Sequence, residues 1–310
     1  MSSLNEKAAK IFDYTVRNRS DLGIDLIDFE NGAELLDFGI DTNGGLEAGK
    51  LFAQTCLADG GMIELSMGNR PEVNVVVDEP DVHCLGAQYA GWFVEKEGFS
   101  CMASGPGRAL VRKEELFQEL EISEESDIAV LCLESDQIPS EGVLDYIAEE
   151  CGVDTENLKI LVAPTASIVG SVQISSRVVE AAIHKLNILD FDVGSVISGI
   201  GKAPIAPVAG GFLEAMGRTN DCTLYGGEVT LYLDSGDRLI EKIIEEIPSS
   251  ASEDYGLPFR DIFEKYDNDF LKIDRELFSP ARVILNNVNS GSVFEAGSVN
   301  EKLLEKSFNG

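Results

Sequence analysis

Four polar side chains spaced three and four apart, Gln173, Arg177, Glu180 and His184, are the sequence's most suggestive chemical set. On a helix this spacing places an amide, a guanidinium, a carboxylate and an imidazole in one stripe. A carboxylate within reach of a water can act as general base. A guanidinium one turn away would hold it in place and keep it ionised. The same letters also describe a solvated helix face with an Arg–Glu pair, and spacing alone leaves both readings open.

The surroundings make the stripe worth attention. The chain has 55 Asp and Glu among 310 residues, yet the 52 positions from Ile160 to Gly211 hold three, Glu180, Asp190 and Asp192. A stretch so poor in charge reads as mostly buried, and the charges left in it need a reason. Apolar or small residues at Ile168, Val172, Ser175, Val179, Ala182 and Leu186 predict one amphipathic helix carrying the stripe. The flanking PTAS (164–167) and GIGKAPIAP (199–207) read as loops of small residues that let a ligand approach the backbone.

The elements that must position this segment alternate between helix and strand patterns, so the fold class is mixed. Helices are expected at Leu4–Asn18, Leu46–Ala58, Ser140–Cys151 and Asp237–Ile247, and a closing one from Asn300. Lys113–Glu125 reads as an acidic helix and turn. Strands are expected at Ile24–Phe29 and Ala33–Ile40 as a hairpin, at Met62–Met67, Val73–Val77 and Asp127–Leu133, and as a pair within Phe278–Gly297. CTLYGGEVTLYLD (222–234) reads as a hairpin broken at Gly226 and Gly227, and PSSASEDY (248–255) as an exposed linker. Trp92 reads as core. Length favours two domains, and the polar Gly152–Asn157 stretch divides them as 1–155 and 156–310.

The formal charge of −31 would repel nucleic acid and anionic membranes, which argues against both as partners and suits a cationic substrate. Neither an apolar signal core at the N-terminus nor an uncharged apolar run of spanning length occurs, so the chain reads as cytosolic. Six cysteines without a CxxC signal neither a zinc module nor a redox pair, and His83–Cys84 is too little for a metal site. GIGK at 199–202 fails as a phosphate loop, because Val196 and Ala203 stand where Gly and Ser or Thr are needed. No GxSxG elbow is present. SGPGR (104–108) joins Gly amides to an Arg and suits an anion, though an ordinary turn has the same letters.

Six collinear segments together resemble the methenyltetrahydromethanopterin cyclohydrolase family, the archaeal and methylotroph enzyme of one-carbon metabolism and methanogenesis. They are NGGLEAGKLFAQTCLADGG (43–61), CLGAQYAGWFVEKEGFSCMASGPGRAL (84–110), SSRVVEAAIHKL (175–186), GIGKAPIAPVA (199–209), TNDCTLYGGEVTLYL (219–233) and FSPARVILNNVNSGSVFEAG (278–297). The resemblance implies reversible hydrolysis of 5,10-methenyltetrahydromethanopterin to the 5-formyl compound, without metal or organic cofactor. It implies an α+β fold of two mixed α/β domains with an interdomain cleft, and a homotrimer. It puts the chemistry on an Arg and a Glu three apart, which fall on Arg177 and Glu180. For the pterin ring of such a substrate Gln173, Ser175 and Ser176 are candidates, and for its distal phosphate Lys96, Arg108 and Lys202. His184 reads as a helix-end residue rather than a proton shuttle. A non-catalytic pterin-binding or assembly protein keeping the same cleft is the alternative.

Overall fold

A computed structural model describes residues 3–309. In chain order its elements are α1 (Leu4–Leu22), β1 (Asp25–Asp28), β2 (Glu34–Asp37), α2 (Leu46–Cys56), β3 (Gly61–Met67), β4 (Pro71–Asp78), β5 (Trp92–Lys96), β6 (Phe99–Ser104), α3 (Arg108–Val111), α4 (Leu116–Glu119), β7 (Ala129–Glu134), α5 (Glu141–Cys151), β8 (Leu158–Ala163) and α6 (Ile168–Ser175). There follow α7 (Val178–Ile188), β9 (Val196–Pro204), α8 (Phe212–Gly226), β10 (Glu228–Leu233), α9 (Asp237–Ile243), α10 (Phe259–Lys265), β11 (Arg282–Asn287), β12 (Val293–Gly297) and α11 (Glu301–Asn309). The mixed α/β class expected from the alternating patterns is the class observed.

The chain folds as two compact units, and neither is a continuous stretch. The first comprises residues through Gly61 together with Val82–Gln173; the second comprises Met62–Asp81 together with the chain from Ile174 onward. A division at 155 would remove β8, which lies between β2 and β7 in the first unit's sheet. The sequence missed this because the Gly152–Asn157 stretch is an ordinary α5–β8 connection, polar because it lies at the surface.

The first unit is a three-layer sandwich about a sheet ordered β1-β2-β8-β7-β6-β5, with β2, β8 and β7 mutually parallel. Phe12, Phe52 and Val169, from α1, α2 and α6, pack on Leu36, Val130 and Leu161 on one face. On the other face Leu144 and Ile147 of α5 cover Leu35, Leu131, Ile160 and Trp92. Burial on both faces explains why β7 reads as an unbroken apolar run.

The second unit carries a sheet ordered β12-β11-β10-β9-β4-β3, in which β10 and β11 are parallel. Helix α7 lies on β9. A Cβ on Gly199 would stand 2.7 Å from a Val179 methyl, and one on Gly201 would stand 3.0 Å from Val178 and Val179. The glycines of GIGK therefore let a helix close on a strand, and residues 199–204 of the expected loop belong to β9. Cys222–Gly226 ends helix α8 instead of forming half a hairpin, because Leu224 and Tyr225 join Phe259, Ile262 and Leu304 in a second helical core. Ser249, Ser252 and Asp254 of the expected linker are buried. The expected acidic helix at Lys113–Glu125 shrinks to α4.

Candidate active site

The stripe divides between two helices. Ser176 and Arg177 form a turn between α6 and α7, the Arg177 N–H donating to the Ile174 carbonyl at 3.1 Å, so the single predicted helix is interrupted there. Helical phase resumes at once: the Arg177 carbonyl accepts from Ala181 N–H at 2.8 Å and opens α7. Glu180 thus sits in the first turn of α7, where the positive end of the helix favours a negative carboxylate. Only 7% of Glu180 is exposed, which excludes the solvated-face reading of the stripe. Val178, Val179, Ala182, Ile183 and Leu186 face the core and fix the helix's rotation.

Burial shifts the titration of two neighbours on α7. Burial, reinforced by the Arg275 charge, pushes the His184 imidazole down to about 4, so it is uncharged at pH 7. Lys185, fully buried, donates to the Glu276 carboxylate and carbonyl, both at 3.1 Å. Burial lowers its pKa even so.

The family model described as Cyclohydrolase (MCH) matches residues 3–308. The chain belongs to this cyclohydrolase family. Among similar proteins, the methenyltetrahydromethanopterin cyclohydrolase of Methanothermobacter marburgensis is 47% identical, with 99% of both chains aligned. That of Methanocaldococcus jannaschii is 44% identical over 99% of this chain and 98% of its own. That of Methylobacillus flagellatus is 42% identical over 99% of this chain and 95% of its own.

The other residues singled out in this cyclohydrolase sequence fall in different settings. Arg108 is engaged inside the first unit. It is fully buried, its Nε and one terminal nitrogen engage both oxygens of Glu114, and the other terminal nitrogen donates to the Leu85 and Ala87 carbonyls at 3.2 Å. The rings of Tyr89 and Phe117 enclose it, and Gly105, at φ +99°, turns the loop onto β7. SGPGR is a structural turn. Lys96 is exposed on β5, over the Tyr146 ring at 5.4 Å. Lys202 pairs with Glu228 at 3.0 Å on a cavity of about 480 Å³ within the second unit. Other cations on that cavity are paired as well, Arg70 with Glu301 and Arg282 with Glu228 and Glu295.

Ser175 and Ser176 are fully enclosed. Gln173 is buried too, and its amide donates to the Glu134 carboxylate at 3.4 Å. The Thr165 hydroxyl donates to the other oxygen of Glu134. Glu134 does not stand out in the sequence, and Thr165 does so only as part of PTAS; the strand expected at Asp127–Leu133 stops one residue short of Glu134. A carboxylate at the carboxyl end of a buried strand was the available signal. His83 is buried with Nδ1 3.0 Å from the Leu57 carbonyl, and its ring lies against Gly60. No helix among the described residues is long and apolar enough to cross a membrane.

Proposed function

We propose that this chain is a methenyltetrahydromethanopterin cyclohydrolase, reversibly hydrolysing the 5,10-methenyl bridge to the 5-formyl compound. The observation that carries the reading is its family match over nearly the whole chain, with relatives bearing that name at 42–47% identity. The buried Glu180 with Arg177 at the opening of α7 supports the assignment of roles.

The substrate carbon lies in a cationic N–C–N amidinium. Water adds to it as Glu180 takes one water proton, forming a carbon–oxygen bond and a neutral carbinol. The protonated Glu180 then gives its proton to N10 as the carbon–N10 bond breaks. The carbinol proton leaves to solvent, and the formyl group stays on N5. Such general acid–base assistance is worth roughly 10²- to 10⁴-fold. Arg177 orients the carboxylate through its planar fork. Sharing Arg177 with water or substrate keeps Glu180 basic enough to act. The reading also places the chain in the cytoplasm, in the one-carbon chemistry of methanogenesis, as a homotrimer.

Purified protein incubated with authentic methenyltetrahydromethanopterin tests it. Loss of the substrate's ultraviolet absorbance with formation of the 5-formyl product is expected. Tight binding without conversion would instead make the chain a non-catalytic pterin-binding protein.

A further inference from the structure

We propose that Glu134 recognises the substrate by accepting paired hydrogen bonds from the N3–H and 2-amino group of its pterin ring, an assignment that rests on the proposed activity. Glu134 ends β7, beside the parallel strand β8, whose Ala163 is its register partner. The carboxyl ends of parallel strands are where α/β sheets present ligand-binding groups. Among β2, β8 and β7, two strands end in carboxylates, and their situations differ. Asp37, ending β2, is buried and spends its oxygens on the N–H groups of Gly39, Ile40 and Asp41 at 2.7–2.9 Å. It ties down its own loop.

Glu134 is only half-buried, and its two hydrogen-bond partners are neutral side chains. Buried Thr165 holds one oxygen and buried Gln173 the other, which fixes the plane of the carboxylate. Each oxygen keeps a further lone pair. An anion held this way, with no cation among those partners, is suited to two parallel donors from a ligand. The pterin ring offers such a pair. The amidinium does not, because both of its nitrogens are fully substituted and carry no hydrogen. Gln173 is on this view a positioning residue for Glu134.

The test compares Glu134→Gln, Glu134→Ala and Glu134→Asp with the unaltered protein in two ways. With methenyltetrahydromethanopterin, the Gln and Ala variants should raise KM about 10- to 100-fold, as expected for losing charge-assisted hydrogen bonds. Their kcat should stay within about threefold, with the Asp variant intermediate. In competition binding, the unaltered protein should prefer 6-methyltetrahydropterin over its 2-desamino analogue by about tenfold, and Glu134→Ala should not distinguish them. A preference that survives in Glu134→Ala, or a KM within twofold of normal, overturns the assignment. Should Glu134→Ala fail to fold, the near-isosteric Gln variant carries both readouts. If the unaltered protein converts nothing yet shows a preference that Glu134→Ala lacks, the proposed activity falls and Glu134 stands as a pterin contact.

Discussion

Asp221 shows how differently the second unit treats its buried carboxylates. Glu180 lies where the start of α7 welcomes a negative charge, whereas Asp221, in the middle of α8, is enclosed. One Asp221 oxygen accepts the Phe259 N–H at 2.9 Å and so caps α10. Burial pushes its pKa up to about 7, against hydrogen bonds from Ser307 and Phe259 that pull it down. A carboxyl whose pKa is higher in the fold than in the unfolded chain stabilises fully below about pH 4. That contribution is lost as pH rises through about 7, at a cost of about 4 kcal/mol. His184 works oppositely in an overlapping window: held down to about 4, it favours the fold increasingly as pH rises toward its ordinary value. The difference between Asp221→Asn and the unaltered protein isolates the first effect. In urea unfolding it should be near zero at pH 4 and favour the Asn variant by about 2–4 kcal/mol at pH 8. A pH-independent difference would contradict a protonated Asp221. The sequence's letters do not show the Asp221 shift, because its burial against Phe259 of α10 and Ser307 of α11 is a long-range fact.

At the scale of elements, what was legible was phase, and what was lost was continuity. Val172, Ser175, Val179, Ala182 and Leu186 are all buried as the spacing predicts, across a turn that periodicity could not detect because the helical phase resumes after it. Ile168, at the start, is exposed. The small residues of GIGK were visible, but their purpose was not. A glycine making room for a helix and one making room for a ligand have the same letter. Gly199→Ala separates the two. Its Cβ would meet the stiff Val179 side chain at 2.7 Å and Leu231 at 3.0 Å, forcing α7 off β9. We expect a loss of about 1–3 kcal/mol of stability, measured by denaturant midpoint, with turnover reduced because α7 carries Glu180 and Arg177 caps its start. Unchanged stability would mean that α7 has slack on the strand.

For the whole molecule, the mixed class and the existence of two units followed from length and alternation, while their boundaries required knowing which strands pair. The β3–β4 hairpin joins β9 in the second unit although the first unit's chain flanks it on both sides. A fragment of residues 1–155 therefore lacks β8 from the centre of one sheet and carries a hairpin belonging to the other. It should be unfolded by circular dichroism and give no cooperative melt. A cooperative transition would contradict the strand order. The charge of −31 bears on solubility and association, and it does not choose between folds.

The most direct measurement of the central claim is turnover of methenyltetrahydromethanopterin by Glu180→Gln, with substrate binding and melting temperature followed in the same preparation. The account predicts a 10²- to 10⁴-fold loss of kcat with binding and fold retained. Near-normal turnover by that variant would remove Glu180 from the chemistry and contradict the mechanism.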